Sequence, residues 1–418
     1  MVPEQMMAHG YVSHQGPSSF PSPEVAWRHR GRTANRRGNT TTEVPSTLQT
    51  LLLPIPSNKQ TAKMMSPGEL FNIARNLWSQ SFFIPAPTFT EADLPDQTGK
   101  VHIVTGGYAG VGQELVKLLY ARNATVYIAG RNKQKAAVAI AHIEDAHPTS
   151  DGRLGFLQLD LADLSTIKKS VDDFCKRENR LDVLTNNAGV MMPPKGSVTE
   201  EGYELQLGTN CIGPFLFTHL LLPLLRQTAL TAPPNSVRVT WGASLVIDYA
   251  PTFGVAFDNK GRPVKHALQA LNYGQSKAGN LLLASEFARR YGHASTADPN
   301  APPGGAVVSV AWNPGNLATE LTRHASWFEM LFVRWLLYPA KLGGYTELFA
   351  GWSPEVGLHN NGCLVVPWGR LWTPRKSLQQ AMKLSAEGGY GVAERFYNWC
   401  EKEALRWIPD EDKGVVVG

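Results

Sequence analysis

From Lys100 onward the chain alternates between short apolar, β-branched runs and longer stretches whose apolar positions recur at helical spacing. The runs Val101–Thr105, Thr125–Ala129, Leu154–Leu159, Leu181–Thr185, Ser236–Trp241, Gly305–Ala311 and Cys363–Val366 predict strands. The stretches Val111–Arg122, Lys133–Ala146, Ser165–Arg177, Gly213–Gln227 and Tyr273–Tyr291 predict helices. Strand–helix alternation of this kind predicts a doubly wound α/β domain, a parallel sheet of Rossmann type with helices on both faces, over residues 100–405. The strand runs are apolar throughout, as strands buried on both faces are. Open sheets of this class bind ligands beyond the carboxyl ends of their strands.

Ahead of the sheet, Leu70, Phe71, Ile73, Leu77, Phe82 and Phe83 form an apolar stripe, which predicts a short amphipathic helix within a docking segment over 64–99. Residues 1–63 are rich in Pro, Ser, Thr, Gly and Asn without a sustained period, and predict a disordered leader.

Composition narrows the function classes. Hydrophobic residues make up 43% of the 418, enough for a sizeable core. The formal charge of +5 is concentrated in part on Arg28, Arg30, Arg32, Arg36 and Arg37, and the rest is nearly balanced. No broad basic face for nucleic acid is expected. Cys175, Cys211, Cys363 and Cys400 show neither CxxC pairing nor zinc-ligand spacing, so no metal site is expected and a reducing compartment fits. The first residues lack the apolar core of a secretory signal. The acid-poor, Arg- and Ser/Thr-containing leader is faintly like a mitochondrial address, but its Pro and Gly oppose an amphipathic helix, and the cytoplasm is the expected location.

The first chemistry-bearing feature follows the first strand: Thr105-Gly106-Gly107-Tyr108-Ala109-Gly110-Val111-Gly112. Gly106 permits a tight turn, Gly110 lets the backbone approach a pyrophosphate, and Gly112 allows close packing. Free amides and the positive helix end would favour the phosphates. A plain strand-to-helix turn is the bland alternative. The second strand ends Ala129-Gly130-Arg131, without the carboxylate that would hold the ribose diol of NAD. Arg131, with Lys133 or Lys135 nearby, would meet a 2′-phosphate, so NADP(H) is expected over NAD(H). A solvated arginine at a helix start is the alternative.

Tyr273 and Lys277 stand four apart, on one face of a helix. With 12 tyrosines and 40 Lys plus Arg in 418 residues, about one such pair arises by chance, and Tyr127 with Arg131 is another. The weight lies in the order of the motifs around them. Asp160-Leu161 follows the third strand, Asn186-Asn187-Ala188-Gly189 the fourth, and Thr209-Asn210-Cys211 opens the next helix. Pro314-Gly315, then Thr319-Glu320-Leu321, follow the last long strand. From about residue 98 to 400 the chain resembles the short-chain dehydrogenase/reductase family, and within it the branch of the retinol dehydrogenases and the WW-domain oxidoreductase.

The resemblance implies cofactor contacts from Gly106, Tyr108, Gly110, Val111, Gly112, Arg131, Asp160, Asn187, Ala188, Gly189, Tyr273, Lys277 and Thr319. It implies Asn210, Ser244, Tyr273 and Lys277 as catalytic residues. Tyr273 would carry the proton, Lys277 would favour its phenolate and hold the ribose, Ser244 would bond the substrate oxygen, and Asn210 would hold a relay water. The chain departs from the family at two places: Ala243 replaces the first of two serines, and Asn313 replaces a histidine common in that branch. A helix cap for Asn210 and a strand-end hydroxyl for Ser244 are the alternatives. Family relatives commonly dimerise through the two long helices, which implies a homodimer here, and some serve in specialised metabolism.

The very apolar stretch Trp327–Tyr338 lies where the family carries its substrate lid, expected here over 316–360. An apolar substrate pocket is one reading of it, and the resemblance implies a lipophilic substrate such as a retinoid, steroid, fatty aldehyde or polyketide intermediate. A peripheral membrane contact and an ordinary buried helix are the alternatives. The rival from another class is a non-catalytic dinucleotide-binding sensor or scaffold, against which the presence of both Tyr273 and Lys277 counts.

Overall fold

The computed structural model describes residues 67–293, 305–317 and 337–408. The leader over 1–63, Thr319 and the stretch Trp327–Leu336 lie outside the described residues. Strands β1 (Val101–Thr105), β4 (Val183–Asn186), β5 (Arg238–Gly242), β6 (Val308–Trp312) and β7 (Leu364–Val366) are buried at every position. With β2 (Thr125–Gly130), β3 (Arg153–Gln158) and β8 (Arg370–Trp372) they form one sheet in the order β3-β2-β1-β4-β5-β6-β7-β8. All neighbours run parallel except β7 and β8, whose pairing Leu364↔Trp372 is antiparallel. The order reverses between β1 and β4. That switch point leaves a crevice at the carboxyl ends of the strands.

Helices cover both faces. Helices α2 (Gly110–Tyr120) and α3 (Lys133–Ala146) pack on one side with α7 (Ala340–Trp352), around Val104, Leu115, Ile143 and Phe349. On the other side lie α4 (Leu164–Cys175), α5 (Gly213–Thr231), α6 (Gln269–Tyr291) and α9 (Val392–Ala404), around Leu184, Phe215, Leu281 and Phe396. The short α8 (Lys376–Met382) packs against α6 and α9. The apolar stretch Leu205–Thr231 is long enough to cross a membrane by length and composition, but it is the core helix of this layer, 89% buried in its most apolar window.

Three expectations change. Of the region read as a lid, residues from Ala340 onward form α7, a buried layer. Its Gly343 and Gly344 lie against Val111 and Glu114 of α2, and its Gly351 lies against Val183 of β4. The second change concerns the face for dimerisation. Helix α9 of the same chain lies across α5 and α6. Its Phe396, Tyr397 and Cys400 are fully buried. Phe396 meets Gly279, the Tyr397 ring stands edge-on to Phe215, and the Tyr397 hydroxyl bonds that of Tyr291 at 2.9 Å. Burying an aromatic side chain stabilises by about 1.5–3 kcal/mol, so this covering is not displaced lightly. Helix α9 thus occupies part of the α5–α6 face through which the resemblance implies a dimer, while Pro223, Gln227 and Leu230 of α5 stay exposed.

The third change concerns α1 (Pro67–Ser81). Its described side chains dock chiefly through polar groups. Ile73 is buried on the docked face beside Asn76, Gln80 and Ser81, whereas Trp78 and Phe83 face solvent.

Candidate active site

The residues singled out by sequence assemble at the carboxyl ends of β1 to β6. After β1 the chain turns through Gly106 at φ +68° and enters α2 at Gly110, φ +57°, conformations that glycine adopts without strain. The cap of α2 is Ala109, which offers no side-chain hydrogen bond, so the first amides of the helix are left for a ligand. Asn187 donates from Nδ2 to the Thr105 carbonyl at 2.7 Å, and a Cβ on Gly112 would stand 2.4 Å from that same nitrogen. Gly112 is therefore needed for Asn187 rather than for general helix–sheet contact. The Ala188 amide donates to Thr105 Oγ1 at 2.9 Å. Val111 turns its side chain toward Gly343, so its amide is what it can offer.

At the end of β2 the Tyr108 ring lies over Gly130, where a Cβ would meet it at 2.4 Å. Arg131, the next residue, is exposed. Asp160, beyond β3, accepts from the Ala162 amide at 2.9 Å. A turn of free amides, a ring over the end of β2 and an exposed guanidinium beside it fit a dinucleotide carrying negative charge near its adenosine ribose.

Asn210 lies on a π-helical turn, Gly208–Ile212, that joins the short turn Leu205–Leu207 to α5. Single π turns inside α-helices recur at functional sites. The extra residue swings Asn210 out of the capping role that the sequence left open. Its Oδ1 accepts from the Val190 amide at 2.7 Å, and its Nδ2 donates to the Val190 carbonyl and to Ser276 Oγ, both at 3.0 Å. It thereby pins the strand-end segment Gly189-Val190 against α6. A Cβ on Gly189 would lie 3.0 Å from Asn210 Oδ1 and 3.4 Å from Lys277 Nζ, so these three groups converge.

Ser244 caps the 3-10 turn Leu245–Tyr249, and its Oγ accepts from the Val246 amide at 3.4 Å. The Ser244 hydroxyl is near enough to that of Tyr273 to act on its ionisation. Burial pushes the Tyr273 phenol up to about 12, and the Ser244 hydroxyl pulls it part of the way back. Burial pulls the Lys277 ammonium down to about 8. Its Nζ donates to the Gly242 carbonyl at 2.9 Å and lies 5.8 Å from the centre of the Tyr273 ring. The lowering of the phenol by Lys277 expected from sequence is thus not what dominates here: desolvation of each group outweighs their coupling.

Two supporting residues escaped the sequence reading. Asn280, one turn beyond Lys277, donates to the same Gly242 carbonyl at 2.9 Å. Asn313, noted only as a missing histidine, accepts the Gly315 amide at 3.1 Å and so shapes the turn after Pro314. Among the described residues no cluster of side chains suits a metal ion.

A parallel sheet in this order, with a glycine turn at its switch point and a Ser–Tyr–Lys set at the same edge, is the architecture of a dinucleotide-dependent oxidoreductase. The model of the short chain dehydrogenase family matches residues 100–230. A short-chain dehydrogenase/reductase of Phomopsis amygdali is 47% identical over 342 residues, covering 81% of this chain and 99% of its own. Another, of Pestalotiopsis fici, is 45% identical, covering 78% and 96%. Among solved structures, an uncharacterised protein of Mycobacterium paratuberculosis shares 26% identity at a TM-score of 0.52, covering 74% of this chain and 97% of its own. The chain belongs to the short-chain dehydrogenase/reductase family, and is an oxidoreductase of that family.

Proposed function

We propose that the protein is an NADP(H)-dependent reductase of a ketone or aldehyde, or catalyses the reverse oxidation, on a lipophilic substrate. The observation that carries this reading is the convergence of Ser244, Tyr273, Lys277 and Asn210 at one mouth of the sheet. When bound, the cofactor supplies or accepts the hydride at the carbonyl carbon. The Tyr273 hydroxyl gives its proton to the oxygen that gains charge, and Ser244 donates a hydrogen bond to the same oxygen. The Lys277 ammonium, held off the phenol by Gly242 in this structure, is within reach of Gly189 and so of a ribose lying over it. Asn210 fixes the Gly189-Val190 backbone along which that ribose would lie.

Preference for NADP(H) is supported by Arg131 at the end of β2 and by the lack of a carboxylate there. A lipophilic substrate is supported by the apolar composition of Trp327–Leu337 in the family's lid region. Contact of that segment with a membrane surface is the second use of the same composition, tested by flotation with liposomes. The four cysteines are free, which suits a cytoplasmic setting.

The test is a panel of apolar ketones and aldehydes, with oxidation of NADPH and of NADH followed by absorbance. Turnover with NADPH at lower KM than with NADH is the expected result. Tight binding of NADPH with no turnover of any carbonyl would replace the enzyme by a sensor.

A further inference from the structure

Helix α1 precedes the family domain in the chain, and its docked face is unusual chemically. Asn76, Gln80 and Ser81 are only 4%, 4% and 2% exposed, and each is paired through its side chain. Asn76 Nδ2 donates to Asp248 Oδ2 at 3.1 Å. Gln80 Oε1 accepts from Asn313 Nδ2 at 2.9 Å. Ser81 Oγ accepts from Asn316 Nδ2 at 2.9 Å, and the Ser81 carbonyl accepts from the Tyr338 hydroxyl at 3.1 Å. The receptors of these side chains lie in two loops, and a further backbone tie comes from β8, where Arg370 Nη2 donates to the Ser79 carbonyl at 3.0 Å. Asp248 lies in the turn Leu245–Tyr249 that Ser244 caps, and Asn313, Asn316 and Tyr338 flank the Pro314-Gly315 turn and the region after it.

We infer that α1 is a positioning element of the active site, a polar latch that ties the loop carrying Ser244 to the loop carrying Pro314-Gly315. Apolar burial alone would hold a helix here with tolerance for sliding, because it is non-directional. Buried amide, carboxylate and hydroxyl pairs have one geometry, and leaving a member unpaired is penalised by its desolvation. The latch therefore fixes the distance between the loops, and with it the place of Ser244 opposite Tyr273. Asn76 is the point at which α1 meets the Ser244 loop, through its 3.1 Å bond to the buried Asp248 carboxyl. It touches neither Ser244 nor Tyr273, so its effect on turnover runs through the loop.

This inference rests on the proposed reductase activity for its kinetic arm, and a second arm does not need activity. Asn76→Leu keeps the γ-branched shape at a larger volume and removes the donor. The reversed pair, Asn76→Asp with Asp248→Asn, restores a hydrogen bond of opposite sense. Backbone hydrogen exchange in the full chain is followed by mass spectrometry over 244–249 and 313–317. The expected result is exchange at least several-fold faster in both loops for Asn76→Leu, returned toward native in the reversed pair. With the carbonyl best reduced in the panel above, kcat falls about tenfold in Asn76→Leu while the Kd for NADPH stays within twofold. Native exchange in Asn76→Leu overturns the latch. So does a loss in which NADPH affinity and melting temperature fall together with exchange protection across the whole sheet, since that would make α1 a general prop. If the native protein reduces no carbonyl, the reductase reading fails and the exchange arm still decides the latch.

Discussion

Lys277 lies beneath Tyr273, its Nζ 5.8 Å from the ring centre and bonded to the Gly242 carbonyl rather than directed at the phenol oxygen. The two members of the pair are thus separable by mutation. Tyr273→Phe removes the ionisable hydroxyl and keeps the ring, so NADPH binding should survive while the chemical step falls by a factor on the order of 10² or more. Lys277→Ala should weaken both. Native turnover by Tyr273→Phe, in single-turnover kinetics, would end the proposed mechanism.

The same geometry gives a pH dependence. Lys277 is drawn down to about 8 by burial, so it carries its charge below that pH and loses it above. If the ammonium holds the cofactor ribose, NADPH affinity should fall as pH rises through about 8, and Lys277→Met should remove that inflection. Fluorescence titrations of NADPH from pH 6 to pH 10 would check it, and a native inflection that persists in Lys277→Met would sink it.

Arg131 tests the cofactor preference directly. Arg131→Asp should weaken NADPH and strengthen NADH, reversing the order of their Kd values, without a change in melting temperature because the side chain is exposed. Native binding of NADH at least as tight as that of NADPH would show the reading of β2 to be wrong.

Glu347 on α7 is fully buried, and neither carboxyl oxygen has a hydrogen-bond partner. Burial holds its carboxyl well above the usual range, so the folded chain keeps the proton while the unfolded chain releases it. Stability from this site is greatest at low pH and declines as pH rises above the unfolded value of about 4.3, by at most about 1.4 kcal/mol per pH unit, until the folded group itself ionises. Glu347→Gln should therefore raise Tm at neutral pH, with a gain over native that shrinks toward pH 4. Thermal melts of both proteins across that range measure it, and a constant difference would contradict the assignment.

Gly279 reports on the covering of the α5–α6 face. A Cβ there would stand 2.8 Å from the Phe396 ring and 3.0 Å from Cys211 Sγ. Gly279→Ala should destabilise by about 1–3 kcal/mol through overpacking, read by denaturant unfolding. Light scattering of the native protein should show no dimer dependent on this face. A dimer abolished by a bulky residue at Gly279 would reverse that view.

Much of this architecture was legible in the chain. Val101–Thr105 and Lys133–Ala146 were read with their true ends, because a doubly buried strand is an unbroken apolar run and α3 begins at an asparagine that caps it. Gly106, Arg131, Asp160, Asn187 and Ser244 were legible because each follows a strand, where the backbone must turn at the ligand face, whereas Asn210, Tyr273 and Lys277 lie on helical turns and were legible only through the order of the motifs. What failed has physical causes. Helix α7, AKLGGYTELFAGW, is poor in helix formers, and its glycines, which read as breakers, are sites of close approach to α2 and β4. Helix α9 is amphipathic, but no periodicity within it says which partner its apolar face will find. Strand β8 has three residues, too few for alternation to register. The polar face of α1 was hidden because the stripe Leu70 to Phe83 suggested the usual apolar docking, whereas the specific contacts of its described side chains and of the Ser81 carbonyl lie 172 to 257 residues away in sequence.

That separation has a consequence for how the protein is made. Helix α1 leaves the ribosome before any strand of the sheet, yet its receptors at Asp248, Asn313 and Asn316 emerge far later. Contacts of such long range close slowly, after local structure has formed. A refolding chain should regain its helical signal and its capacity for dinucleotide before Ser244 is set in register with Tyr273. Recovery of turnover should then lag recovery of cofactor binding, the last step of maturation being the closure of α1 upon loops made long after it.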